Sequence, residues 1–171
     1  MNAQAHPTLA LRPMLSEDAP VLAEIYRDSI MGLTGDDYSE AQQAAWAAAA
    51  DDEAAFAKRL ADELTIVVTL GGGVVGFASL EGNDKIDFFY VHPAASGQGV
   101  GALLADALEK VAGGRGAEKL SVDASDAASG FFAKRGYVAQ QRNSVRCGDE
   151  WLANTTMQKP LAMARSAPPE G

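Results

Sequence analysis

The chain has 171 residues, 47% hydrophobic and 22% charged, with a net charge of −9. Such a composition fits one globular domain with a sizeable core, and the acidic surplus disfavours nucleic acid and makes a cationic small molecule the more plausible partner. No run of about 18 apolar residues spans a membrane, the first 13 residues lack the order of a signal peptide, and the single cysteine, Cys147, excludes an internal disulfide and suits a reducing cytoplasm.

"LALRP" (9–13) reads as a first strand. Ser16 is expected to cap a helix, with Glu17 and Asp18 near its positive end and Leu22, Ile25, Tyr26 and Ser29 at helical spacing. "SEAQ" (39–42) has the form of a capping box ahead of "AAWAAAA". A third helix follows "DDE", with Phe56, Leu60 and Leu64 on one face. "LTIVVTL" and "VVGFASL" are β-branched runs joined by Gly71, Gly72 and Gly73, a hairpin signal. "EGND" turns into a further strand, "KIDFFYV" (85–91).

Beyond a glycine-rich stretch, Val100, Leu103, Leu104, Ala107, Leu108 and Val111 predict a strongly amphipathic helix, ended by Gly113 and Gly114. "EKLSVDA" reads as a strand and "AASGFFAKR" as a short helix with Gly136 as its C-cap. "YVAQQRNSVR" and "WLANTTMQK" form a final hairpin across "CGDE". The tail, "ARSAPPEG", has too little apolar content to pack. The order predicts an α/β domain over residues 1–161, a mixed sheet with helices on both faces, followed by a tail at 162–171.

The glycines Gly97, Gly99 and Gly101 sit at alternate positions just before the best helix in the chain. A helix start presents unpaired N–H groups and a positive dipole end, and glycine lets an anion approach them without meeting a Cβ. This favours phosphate binding over a mere tight turn. The P-loop pattern GxxxxGK[ST] is absent. "GQGVGA" fits a dinucleotide fingerprint with Asp123 about 20 residues on. Against that reading, "HPAAS" separates the strand from the glycines, and too few residues follow for a doubly wound sheet.

"FFYVHPAASGQGVGALLADALE" resembles motif A of the Gcn5-related N-acetyltransferase (GNAT) family, and "SDAASGFFAKRGY" resembles its motif B. The segment "DYSEAQQAAW" is similar to the YafP-like acetyltransferases within that family. The resemblance covers nearly the whole chain except the tail. It implies the acyl-CoA N-acyltransferase fold, with a central, mostly antiparallel sheet whose middle strands splay apart. It also implies acetyl transfer from acetyl-CoA to a primary amine, by direct attack in a ternary complex. The amides of Gly97, Gln98, Gly99, Val100, Gly101 and Ala102 would hold the CoA pyrophosphate, with Ser96 at the edge of the cofactor site. The backbone of Phe89, Tyr90 and Val91 would pair with the pantetheine arm, with the Val91 N–H polarising the thioester carbonyl.

Two departures stand out. Ser96 occupies the family's usual Arg or Gln position, and Phe132 replaces the tyrosine that protonates the departing thiolate in many members. Ser125 replaces the motif B asparagine and is a hydrogen-bonding candidate near the sulfur, whereas Tyr137 falls at a core aromatic position and is a weak acid candidate. A catalytically weak CoA-binding sensor is therefore the alternative function.

Deprotonating an ammonium needs a carboxylate or a water beside the thioester. Asp87 interrupts the apolar run "IDFFYV" and by alternation shares a face with Phe89 and Val91. It is a base or acceptor-holding candidate, or else an ordinary partner for Lys or Arg. Tyr26, Tyr38 and Trp46 fall where the family builds its acceptor pocket. Two histidines and one cysteine make no metal set, His92 reads as a turn residue, and Arg142 and Arg146 read as surface charge. The expected partner is a small-molecule amine, with no nucleic acid, no membrane, no metal and a monomer or homodimer as the working form.

Overall fold

The computed structural model describes residues 8–161. The calls on the N-terminal segment and on the tail lie outside them. Seven strands form one sheet in the order β1-β2-β3-β4-β5-β7-β6: β1 (Leu9–Pro13), β2 (Leu64–Leu70), β3 (Gly73–Glu81), β4 (Lys85–Val91), β5 (Lys119–Ser125), β6 (Val138–Cys147) and β7 (Glu150–Pro160). Five α-helices accompany them: α1 (Ala19–Leu33), α2 (Glu40–Ala47), α3 (Glu53–Asp62), α4 (Val100–Gly114) and α5 (Ser129–Lys134). The predicted mixed sheet with helices on both faces is what forms. Among the described residues no helix is long and apolar enough to cross a membrane.

Every strand pair is antiparallel except β4–β5. That parallel pair holds only at Lys85↔Ser121 and Ile86↔Val122, after which the strands part. The resulting wedge in mid-sheet is the feature on which the site depends.

The sheet separates two cores. Val68, Ala78, Leu80 and Ile86 pack with Leu104 and Leu108 of α4, while Val67, Phe77 and Phe88 pack with Leu22, Ile25 and Ile30 of α1 and Phe56 and Leu60 of α3. Helix α4 lies so close that a Cβ at Gly76 would stand 2.8 Å from Val100 Cγ1. The glycine there is a packing requirement.

Three boundaries differ from the sequence reading. Ser16 opens a 3-10 turn (Ser16–Asp18), and α1 begins only at Ala19, with Pro20 in its first turn. Asp18 stabilises this entry by accepting from the Leu15 N–H at 2.7 Å and from Arg12 at 2.7 and 3.0 Å. Leu64 belongs to β2, since α3 ends at Asp62. Gly113 and Gly114 stay helical, and the stop is Gly116 at φ 89°, because the left-handed residue sits just past the cap. The other punctuation holds: Ser39 and Gln42 form the capping box, and Gly136 has φ 98° after α5.

Candidate functional site

A cavity of about 690 Å³ occupies the wedge, and its lining comes from both faces of the sheet. On the α4 side it is walled by Ser96, Gly97, Gly99, Val100, Gly101 and Ala102, with Phe131 and Phe132 of α5. On the other side stand the C-terminal end of α1, Tyr38, Trp46, and the facing ends of β6 and β7. Phe89, Tyr90, Val91 and Ser125 border the gap itself.

The α4 side is built from backbone. Gly97 and Gly99 have φ 80° and 89°, and a Cβ on either would meet nothing within 4 Å. Their absent side chains therefore serve the left-handed turn and leave open space. Gly101 has a different reason, because its Cβ would lie 3.3 Å from the Phe131 ring. Gly99 is the N-cap of α4 and offers no side-chain cap, so the first intrahelical return is Leu103 N to Gly99 O at 3.1 Å. The N–H groups of Val100, Gly101 and Ala102 are left for a ligand. Gln98 is exposed and turns back to the Ala94 carbonyl at 3.3 Å.

The strand edge follows from register. His92 donates to the Val75 carbonyl at 2.8 Å and Tyr90 pairs with Phe77, so alternation turns the peptide groups of Phe89 and Val91 toward the gap. Tyr90 contributes its ring instead, 4.8 Å from Tyr26 and 6.4 Å from Trp46, because its own peptide groups face β3.

Asp87 does not share the face of Phe89 and Val91. Ala78 pairs with Phe89 but Leu80 pairs with Ile86, so Asp87 and Phe88 together oppose Ser79 in a β-bulge. The extra residue sends Asp87 to the α1–α3 side. There it takes two hydrogen bonds from Arg59, at 2.6 and 3.0 Å, while that guanidinium stands 4.8 Å over Phe88. Ser79 accepts the Phe88 N–H at 3.1 Å and donates to Glu63 at 2.7 Å. Oxygens of Glu63, Glu81 and Asp87 lie within 4.8 Å of one another. Burial, then the neighbouring Asp87, lifts the Glu63 carboxyl to about 7. Asp87 still lines the cavity, so the Glu63 carboxyl stands directly behind a residue of the cavity wall. Glu63 has no sequence signature, since it looks like any charged helix-end residue.

The remaining candidates divide. Ser125 lines the cavity and accepts the Ala128 N–H at 3.1 Å. Phe132 lines it too, but is 1% exposed, with its ring against Phe89 and Tyr137. Tyr137 does not reach the cavity: its buried hydroxyl donates to Glu109 at 3.0 Å, and burial together with that carboxylate pushes the phenol up. It is a core residue and not an acid at the site. Tyr26 likewise is buried and donates to the Trp46 carbonyl at 2.9 Å, bracing α1 on α2. Tyr38 donates to Ala153 and accepts the Asp126 N–H at 2.9 Å, which ties the ends of β5 and β7 to the α1–α2 connection. Its ring and that of Trp46, 5.5 Å apart, wall the cavity. Arg146, read from sequence as surface charge, also lines it.

The model of the acetyltransferase (GNAT) domain matches residues 34–161. The chain belongs to the GNAT acetyltransferase family. It is thus an acetyl-CoA-dependent N-acetyltransferase, as the paired motifs imply. It is 29% identical over 141 residues to the uncharacterized N-acetyltransferase YafP of Escherichia coli K12, which covers 82% of this chain and 89% of that protein. A GCN5-related N-acetyltransferase from Rhodopseudomonas palustris, whose structure also carries the description "Aminotransferase, Class-II", is 62% identical. It superposes with a TM-score of 0.89 over 94% of this chain and all of that one. The PaiA N-acetyltransferase of Thermoplasma acidophilum, solved with coenzyme A, shares the fold at 18% identity, with a TM-score of 0.74 over 90% of this chain and 99% of that one.

Proposed function

We propose that this GNAT domain, acting as one unit over the described residues, moves the acetyl group of acetyl-CoA to a primary amine by direct attack in a ternary complex. The observation that carries the reading is the wedge between β4 and β5. It exposes the Phe89 and Val91 peptide groups in the same cavity as the uncapped start of α4. The glycine turn leaves room where a phosphate would meet three free N–H groups. Phe89 and Val91 offer the pantetheine arm a strand edge, as an added strand would use it. The Val91 N–H then donates to the thioester carbonyl.

In the proposed reaction the neutral amine nitrogen attacks the carbonyl carbon, a C–N bond forms and the C–S bond breaks. Asp87, with Glu63 behind it, takes the ammonium proton directly or through a water. Ser125 supplies the hydrogen bond nearest the departing thiolate: its Oγ only accepts from Ala128, so its O–H remains to donate. With phenylalanine at 132 no tyrosine hydroxyl does this work.

The test is amine-dependent release of free thiol when the purified chain is given acetyl-CoA and a panel of primary amines. CoA binding without thiol release from any amine would replace this reading with a non-catalytic CoA-binding module.

A further inference from the structure

We infer that the acceptor is a primary amine with an apolar, uncharged body and no carboxylate, a small alkylamine or arylalkylamine whose carbon skeleton lies on the α1–α2 wall of the cavity, and that the Trp46 ring selects it. The inference rests on the acetyl-transfer reading above.

The wall is set by alternation in the last hairpin. Val145 pairs with Leu152 and Arg146 pairs with Trp151. Cys147 Sγ donates to Ala45 O of α2 at 3.3 Å, so Cys147 faces α2, and Val145 and Leu152 share that face. Arg146 and Trp151 take the opposite face, where the guanidinium lies 5.6 Å from the indole ring. The surface turned toward the acceptor is then made by Ile30, Leu33, Trp46, Tyr90, Val145 and Leu152. The Trp46 ring stands 5.5 Å from Tyr38 and 6.4 Å from Tyr90, so it joins the α1–α2 connection to β4 in one aromatic surface.

The polar atoms on this side are largely engaged within the protein. Thr34 Oγ1 donates to the Ile30 carbonyl at 2.6 Å and accepts from Gln43 at 3.0 Å. The Tyr38 hydroxyl is held between the Ala153 carbonyl and the Asp126 N–H, and Asn154 Oδ1 accepts from Asn143 at 2.9 Å. Among the described residues that line the cavity Arg146 is the only basic one, and it faces away from this wall. Two carboxylates line the cavity. Asp87 is the group that meets the ammonium in the reading above, while Asp123 lies 3.2 Å from Lys85 and accepts from Thr156 at 2.6 Å. A carboxylate on the acceptor would leave water for apolar surroundings, meet no cation and be repelled by Asp87. A second ammonium would likewise leave water without a free counter-charge. An alkyl chain or an aromatic ring gains from the same burial. One cavity of about 690 Å³ must hold both the pantetheine end and the acceptor, so the acceptor is small.

The experiment compares acceptors that share a body. Thiol release from acetyl-CoA is measured with 2-phenylethylamine against L-phenylalanine, isopentylamine against L-leucine, and pentylamine against cadaverine, each corrected for its fraction of neutral amine. In every pair with measurable turnover the apolar amine should exceed its charged partner by about tenfold or more in kcat/KM. A charged partner used equally well or better in any pair overturns the inference. Trp46→Ala should lower kcat/KM for 2-phenylethylamine relative to ethylamine by about tenfold, through KM and with CoA affinity held, and Trp46→Phe should keep most of that ratio. An unchanged ratio, or a loss that ethylamine shares equally, overturns the assignment of Trp46 as the selecting residue. The wild-type pairs decide the acceptor class even where Trp46→Ala does not fold. If no amine releases thiol, calorimetry with CoA present decides. Binding of N-(2-phenylethyl)acetamide over N-acetyl-L-phenylalanine, weakened in Trp46→Ala, upholds the apolar wall while the transfer reading fails. Equal or tighter binding of the acid, or no binding of either, overturns the inference as well.

Discussion

On the α4 side of the cavity the open polar groups are peptide groups: the N–H groups at the start of α4 and the strand edge at Phe89 and Val91. On the α2 side they are side chains, Tyr38, Trp46 and Asp87, delivered by separate elements. A backbone site is fixed by the path of the chain and tolerates change in most side chains, provided the glycines that shape it remain. A side-chain site depends on how α1, α2, β4 and the β6–β7 hairpin are assembled. The difference explains how one end of the cavity can keep its shape while side chains at the other end change.

Substitution at Asp87 should separate the two sides most widely. Asp87→Asn keeps the size but removes the proton acceptor and frees Arg59, so turnover should fall by about 10²–10⁴ while CoA affinity holds. Steady-state kinetics and calorimetric CoA binding check this. Unchanged turnover with a lowered melting temperature would make Asp87 a structural partner of Arg59 only.

The reciprocal change is Gly99→Asp, which sets a negative charge against the open N–H groups. CoA affinity should drop at least tenfold, about 1.4 kcal/mol. Gly99→Ala is the control: its Cβ meets nothing, so it should cost only the left-handed backbone strain of about 1–2 kcal/mol in stability. Unaltered CoA binding in folded Gly99→Asp would refute the phosphate assignment.

A third measurement addresses the carboxyl pair. Glu63 is raised from the ordinary 4.5 to about 7 in the folded protein. The folded state therefore holds the proton more tightly, and its stabilising contribution is full below pH 4.5 and lost as pH rises through 7. Glu63→Gln should flatten the decline in melting temperature across that window. The facing groups are Arg59 of α3, Ser79 and Glu81 of β3 and Asp87 of β4, so the same slope in Glu63→Gln would shift the titration to another member of this set.

Phe132→Tyr should have the smallest effect. The ring is wedged among Phe89, Phe131 and Tyr137. If Ser125 or water already serves the thiolate, turnover should change little. A large increase would show that the missing tyrosine limits the rate.

The sequence alone determined the fold class, nearly every element and the glycine turn at the start of α4. Those rest on local signals: alternation, helical spacing, capping residues and glycines at positive φ, each confined to a few neighbouring positions. It did not determine the face of Asp87, because the two-for-one bulge opposite Ser79 reverses alternation and depends on the partner strand. It did not separate Tyr137 and Tyr26, whose hydroxyls are engaged within the core, from Tyr38 and Trp46 at the cavity. Nor did it show Glu63 behind Asp87. Those assignments bring together residues from strands and helices far apart in the chain, and only the closing of the sheet around the β4–β5 wedge decides which side chains share one space.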